Sequence, residues 1–367
     1  MTIAEDTTSR QMDSGSKILH HEDWLEKWKK DPLSVYPIYV EATPVGYCNH
    51  RCVFCAFDYI GYKNISLSGD VLKKVAKEMA EGGVKAIQYA GEGEPLLHPE
   101  IADIIRYTAD LGIEVSMLTN GVLLREKFVN KTIKSLLWFQ VSLDAGTKET
   151  HSKIHQTSEK DFGTILKNLS YAVKERNRQK SSCDIGVQFI ILPGNFKELV
   201  RAVEVMKETG VDYITIKPYS HHLLSLHSKE EVLKEGFNYT DLLYLENDVK
   251  KIAGTDLAVD FRTAAMDEIE TERNYNRCYA TPTAWAYISA DGSVYSCSAF
   301  LGDDRFNVGN INDNSFSEIW MSEKRKKHLE MMKGFDINSN CRRICRMNRT
   351  NRTLFSLRNP PSRVNFI

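Results

Sequence analysis

Apolar positions recur along this chain with two alternating spacings. "HEDWLEKWKKDPLSVYPIYVEAT" has the helical spacing and runs into a first strand. The helix pattern "SGDVLKKVAKEMAEGG" gives way to the strand pattern "VKAIQYAG", and "HPEIADIIRYTADLG" to "EVSMLTN". A helix around residues 124–134 precedes "SLLWFQVSLDA"; "FGTILKNLSYAVKERNR" precedes "DIGVQFIILP", and "FKELVRAVEVMKETG" precedes "DYITIKPYS". Six strands thus alternate with helices over residues 40–220. Such alternation predicts parallel strands joined by right-handed crossovers. Six units are fewer than the eight that close a complete barrel. The expectation is an α/β fold, an open-sided partial (β/α)6 barrel over residues 21–220.

The pattern then changes. Residues 221–269 read as a helical, charged connection. "AWAYISADGSVYSC" reads as a hairpin turning at Asp291-Gly292, followed by a Gly/Asn-rich loop and the helix "SFSEIWMSEKRKKHLEMMKG". Residues 270–367 are expected to form a small C-terminal α+β domain. Residues 1–20 are polar and aperiodic, as a disordered tail would be. The final "NPPSRVNFI" is apolar for a free end, so it either docks near the chemistry or packs. No repeat of solenoid length is present.

Composition narrows the class. Lys+Arg number 48 and Asp+Glu 49 in 367 residues, which leaves no basic footprint for nucleic acid or an anionic membrane. No apolar run approaches the roughly 20 residues that span a bilayer, and the N-terminus lacks a signal core. A cytoplasmic protein is expected, with no nucleic-acid or membrane partner. In a reducing compartment, eight cysteines read as ligands rather than disulfides.

Three of them, Cys48, Cys52 and Cys55, lie in "YCNHRCVFC", at the carboxyl end of the first strand. That end is where α/β folds bind ligands. Thiolates at this spacing suit an iron–sulfur cluster or zinc, and His50 could complete a zinc site. The C-x3-C-x2-C spacing at a first barrel strand resembles the signature of the radical S-adenosylmethionine superfamily. The resemblance implies a [4Fe-4S] cluster whose open iron is chelated by the amino and carboxylate groups of S-adenosyl-L-methionine. It implies that Phe54 meets the adenine. "AGEGEPLLHPE" resembles the family's Gly-Gly-Glu-Pro turn in Gly93, Glu94 and Pro95, with Glu92 replacing the first glycine; a carboxylate there can accept from the methionine ammonium. Asn120 of "TNG", and Ser142 and Asp144 of "VSLDAG", resemble positions near the ribose and methionyl group. The resemblance also implies cofactor contacts from Asn195 and Lys217, at the ends of the fifth and sixth strands. His155 of "KIHQ" stands where the family often places an arginine against the cofactor carboxylate.

Cys278, Cys297, Cys341 and Cys345 form a second set, which by spacing suits a zinc ribbon or a fully ligated cubane. With its hairpin and "GNINDNSFSEIW", this region resembles the twitch domain, a shortened SPASM relative. A second [4Fe-4S] cluster is implied. Cys183, just before the fifth strand, remains as a packing thiol. A cluster with four cysteine ligands leaves no iron for substrate and suits electron acceptance. The layout resembles the aminocyclitol dehydrogenase type, which implies hydrogen abstraction by a 5′-deoxyadenosyl radical and dehydrogenation of a carbohydrate-like small molecule. Sugar epimerases and peptide-modifying maturases are the alternatives; no separate leader-binding domain is read before residue 40, which counts against a peptide. A non-catalytic iron–sulfur or zinc protein is the alternative of another class. A flavodoxin or ferredoxin-type reductant is implied. For the substrate base, His221, His222 and Tyr219 after the sixth strand are the candidates, with Arg262 nearby.

Overall fold

The computed structural model describes residues 15–226 and 238–365. Its frame is one sheet of ten strands: β1 (Tyr39–Ala42), β2 (Ala86–Tyr89), β3 (Glu114–Thr119), β4 (Trp138–Ser142), β5 (Asp184–Ile191), β6 (Tyr213–Pro218), β7 (Ala258–Phe261), β8 (Trp285–Ile288), β9 (Ser293–Tyr295) and β10 (Asn307–Asn310). The order across the sheet is β10-β9-β8-β1-β2-β3-β4-β5-β6-β7. All neighbours from β1 to β7 are parallel, as the alternation predicts.

The strands alternate in character as they alternate in direction of side chain. One set (Val40, Ile87, Val115, Met117, Phe139, Val141, Val187, Ile214, Ile216) is buried in the main apolar core beneath crossover helices such as Gly69–Gly82 and Glu159–Gln179. Ser68 and Ser158 cap those two helices by accepting from backbone N–H groups. The intervening residues are polar yet buried: Glu41, Gln88, Ser116, Gln140 and Thr215. A parallel sheet covered on both faces by helices would be apolar on both. This one has a polar concave face.

Four expectations are corrected. The segment 221–269 is not only helical, because β7 adds a seventh parallel strand beside β6, from Tyr213↔Ala258 to Ile216↔Phe261. It has just four residues, too few for an alternation to show. The C-terminal region does not stand apart from the barrel sheet: β8 pairs in parallel with β1, from Tyr39↔Trp285 to Ala42↔Ile288, before turning back through the antiparallel β9 and β10. Residues 1–14 of the expected tail lie outside the described residues, but 15–20 form a short 3-10 helix whose Ile18 packs with Leu354 of the helix Asn348–Arg358. The closing segment does not dock: residues 359–365 are exposed, and Phe366 and Ile367 lie outside the described residues. No helix among the described residues is long and apolar enough to cross a membrane.

Candidate cofactor and cluster sites

The loop after β1 carries Cys48, Cys52 and Cys55, and is strapped to the helix Lys148–His155. Arg51 N–H donates to His155 O (3.0 Å) and Val53 N–H to Ile154 O (2.9 Å). Gly93 makes a second close approach. A Cβ there would press into the backbone oxygens of Val45 and Tyr47, so only glycine lets the turn after β2 lie against this loop. Glu94 is buried next to it. Its Oε1 accepts from Thr119 Oγ1 (2.6 Å) and Leu96 N–H (3.0 Å), and its Oε2 from Asn120 N–H (2.7 Å). Burial raises its pKa, against the pull of these three donors. Asn120 passes the bracing on, donating through Nδ2 to Asn49 Oδ1 (2.7 Å) inside the cysteine loop.

Beneath the loop lies a layer of buried histidines. His155 Nε2 is 3.0 Å from Leu143 O, an acceptor only, so it carries the proton; Nδ1 then faces Cys52 Sγ at 3.1 Å. The His50 ring lies 5.4 Å from that of His155 and 5.9 Å from that of His151, with Nε2 3.3 Å from Asp161 Oδ2. Donor atoms of His50, Cys52 and His155 fall within 4.8 Å of one another. His50 therefore shares Cys52 with His155 and does not close the cysteine triad. Burial lowers the pKa of His50 to about 4 and that of His151 to about 2.

The second set comes together from three separate stretches of chain, with Cys341 and Cys345 on one short loop. Cys297, Cys341 and Cys345 line a cavity walled by Trp285, Arg342, Arg346 and Met347. Cys278 lies within electrostatic reach of Cys345 and Cys297, and its Sγ is 3.2 Å from Thr281 Oγ1. Arg346 pairs with the buried Glu41 of β1, which ties this site to the barrel interior.

All eight cysteines are free. Burial pushes the Cys48 thiol up to about 11 and Cys297 up to about 12, and raises Cys52, Cys55, Cys278 and Cys341 as well. Bare thiolates are disfavoured at such depth. Soft metal ions that displace the protons make the same arrangement stable. The donor sets fit iron–sulfur clusters: three thiolates with an open corner, and three thiolates around a cavity with the fourth, Cys278, within electrostatic reach.

Two family models match. Residues 43–187 match the radical SAM superfamily, and residues 278–346 match SPASM, an iron–sulfur cluster-binding domain. The chain carries a radical S-adenosylmethionine enzyme domain and a C-terminal SPASM domain. These domains imply S-adenosylmethionine and [4Fe-4S] clusters, one at each cysteine set. Among curated relatives, a tungsten-containing aldehyde ferredoxin oxidoreductase cofactor-modifying protein of Pyrococcus furiosus is 25% identical over 307 residues, covering 78% of this chain and 81% of that protein. A probable GTP 3′,8-cyclase of Saccharolobus islandicus is 28% identical over 212 residues, covering 56% of this chain and 62% of the cyclase. Among solved structures, Streptococcus suis SuiB bound to S-adenosylmethionine superposes with a TM-score of 0.64 at 16% identity, over 84% of this chain and 71% of that one. Native anSMEcpe with bound AdoMet gives 0.57 at 16% identity, over 90% and 100%. At these identities the two structures show a shared fold.

Within this family frame, several residues singled out in the sequence take different parts. Phe54 sits edge-on to His155, with centroids 5.4 Å apart, in a small cluster with Val53, Ile154 and Leu192. Pro95 opens the short helix that Glu94 caps. Ser142 donates to Asp144 Oδ2 (2.7 Å), and Asp144 Oδ1 accepts from Ile190 N–H (2.6 Å). His155 contacts the ligand sulfur of Cys52 instead of an open cofactor position. Asn195 is a brace: its Nδ2 donates to Asp144 O and Ile190 O (both 2.8 Å), and its Oδ1 accepts from Leu192 N–H (2.7 Å). His222 is not placed as a base. Its Nε2 donates to Ala299 O (3.1 Å), its Nδ1 accepts from Leu224 N–H (3.1 Å), and burial lowers its pKa to about 4. Stacked on Tyr59 with centroids 4.5 Å apart, it staples the segment after β6 to both cysteine regions. Tyr219 is held protonated by burial, its pKa raised to about 12, while His221 is exposed. Arg262 is engaged by Asp260 (2.6 Å). Sequence reading missed the Glu41–Arg346 pair and the Thr119–Glu94 brace. The basic residues interleaved with cysteines in "CRRICRMN" were the available signal for the first.

Proposed function

We propose that this enzyme removes a hydrogen atom from a small polar, carbohydrate-like molecule held inside the barrel, and that the second cluster, in a shortened twitch-like site, receives the second electron. The observation that carries this reading is the polar concave face between the two cysteine sets. Glu41, Gln88, Gln140, Ser142, Gln188 and Thr215 alternate with the apolar residues that pack beneath the helices. Such a lining offers hydrogen bonds to hydroxyls and amines. When bound, S-adenosylmethionine and its cluster supply a carbon radical able to take the hydrogen atom. Cys48, Cys52 and Cys55 hold the iron for it, Glu94 and Asn120 fix the turn beside the loop, Ser142 and Asp144 present oxygens at the end of β4, and Phe54 offers a flat apolar wall. Four cysteines at the second site complete a cubane's ligand set, which favours electron transfer over substrate anchoring. A small flavodoxin or ferredoxin would supply the starting electron.

The name of the Pyrococcus relative favours a second reading, modification of a cofactor, and a peptide substrate is the alternative beside it. Anaerobic reconstitution followed by turnover with deuterated candidates separates the two. Deuterium appearing in 5′-deoxyadenosine from a C-deuterated sugar or cyclitol supports the first reading. Transfer only from peptides or cofactor precursors replaces it, and absence of any cofactor cleavage sinks both.

A further inference from the structure

Lys217 ends β6 on its concave side, because Ile214 and Ile216 of the same strand lie in the helix-facing core. Among the described residues its ammonium has no hydrogen-bond or ion-pair partner. The charges that act on it are Arg346 and Arg342, opposed by Asp144 and Asp260. The opposing carboxylates are already engaged. Asp144 accepts from Ser142 Oγ and Ile190 N–H, and Asp260 holds Arg262 Nε at 2.6 Å. Arg346 is paired with Glu41, whereas Arg342 Nε is buried without a partner. Among the described residues, Lys217 is therefore the cation of this face that no carboxylate is paired with.

Arg342 and Arg346 follow Cys341 and Cys345 and stand on the wall of the second cysteine cavity, where they offset thiolates. Lys217 is not on that wall. Burial and the two arginines lower its pKa to about 8, so the structure holds an ammonium at a disadvantage. Lys217 is half-buried, so its ammonium is partly withdrawn from water, and a charged ligand would offset that loss of solvation.

We propose that Lys217 binds an anionic group, a carboxylate or a phosphate, on the substrate, which makes the substrate an acid or a phosphate ester and not a neutral sugar. This rests on the reading of the concave face as the substrate site. It moves Lys217 from the cofactor, where the family resemblance would put it, to the substrate. Lysine suits the task as a point charge that accepts either anion without a bidentate geometry. The methionine carboxylate of the cofactor offers the same chemistry, so the test must separate the two sources.

The probes are inorganic phosphate, succinate and S-adenosylmethionine, measured by equilibrium dialysis on the anaerobically reconstituted holoenzyme. The variants are Lys217→Met and Lys217→Arg, with the cluster absorption of each as the folding control. The expected result is that phosphate or succinate binds the wild type and that Lys217→Met weakens it about ten- to hundredfold, the worth of one charge-assisted bond. Lys217→Arg retains most of the anion affinity, and both variants bind S-adenosylmethionine within about twofold of wild type. Neither anion binding the wild type, or both binding Lys217→Met as tightly as wild type, overturns the proposal. A selective loss of S-adenosylmethionine affinity overturns it in favour of the cofactor carboxylate. Cofactor cleavage by the wild type is scored separately, so failure of the radical reading is not confused with failure of the anion site.

Discussion

The two cysteine sets are built in opposite ways. The N-terminal three sit on one short loop, and the fold's work is to clamp that loop: backbone bonds tie it to the helix Lys148–His155, Gly93 crowds it, and Glu94 and Asn120 brace its edge. The C-terminal four come from three separate stretches: ahead of the helix Thr281–Ala284, just after β9, and, for Cys341 and Cys345, the loop between the helices Ile337–Asn340 and Asn348–Arg358. Only Cys341 and Cys345 share a short loop; tertiary packing brings that pair to Cys278 and Cys297. The first set leaves a corner for a ligand, and the second closes on itself. An exposed corner is useful only if the loop cannot relax to fill it, which explains the density of braces around Cys48 and Asn49.

The sharpest way to break this contrast is to remove one ligand from each set. Cys52→Ala should abolish 5′-deoxyadenosine formation while the second cluster stays, lowering iron from about eight to about four per chain. Cys345→Ala should lose the other half of the iron and block product, yet still cleave the cofactor. Because it removes a ligand that joins distant segments, it should also lower the thermal midpoint more than Cys52→Ala does. Equal loss of cofactor cleavage in both variants would show that the two sites do not divide the work.

The same contrast governs what could be read in advance. The cysteine loop was legible because its ligands, strand and spacing are contiguous. The six parallel strands were legible because each has an apolar partner helix next to it in sequence. β7 was not, since the four residues Ala258–Phe261 are too few to carry a periodicity. The pairing of β8 with β1 was not, since it joins residues such as Val40 and Ala286 far apart in the chain. His221 and His222 drew attention as a pair of bases, yet His222 uses both ring nitrogens on backbone partners. Residue type marks chemistry well where the backbone exposes it and poorly where a polar side chain substitutes for a backbone turn. Asn195 was misread for the same reason.

A second test sharpens the claim that the first site depends on clamping. Gly93→Ala adds a methyl against the backbone oxygens of Val45 and Tyr47, which cannot swing away as a side chain could. The loop must shift, at a cost of about 1–3 kcal/mol. Iron at the N-terminal site should fall well below that at the C-terminal site, read by comparing cluster signals with those of Cys52→Ala. Full and equal loading of both would show that the turn after β2 does not set the loop's position. Glu94→Gln should have a smaller effect. It keeps shape but replaces a carboxylate that accepts three bonds with an amide that has one acceptor oxygen. Cofactor affinity should weaken about ten- to hundredfold with the cluster retained. An unchanged dissociation constant would assign Glu94 to bracing alone.

The smallest effect is expected where a cysteine belongs to neither set. Cys183 is 1% exposed, directly ahead of β5, in the core beneath the helices. Its Sγ lies 3.7 Å from Asp184 O, and burial raises its pKa, so it is a thiol and not a nucleophile. The concave site opens at the other end of β5, near Ile190. Eight residues at about 3.3 Å each put roughly 25 Å between the two ends, too far for a hydrogen atom to pass. Cys183→Ala should therefore keep both clusters and full turnover, with a stability loss of about 1 kcal/mol from the small void. The decisive measurement is turnover in deuterium oxide with the true substrate. A two-electron-oxidised product without new C–D bonds, made equally by Cys183→Ala, fits an enzyme whose only working cysteines hold iron. A redox-neutral product bearing one deuterium, lost in Cys183→Ala, would make this thiol a hydrogen donor, and the division of labour between the two cysteine sets would have to admit a third participant.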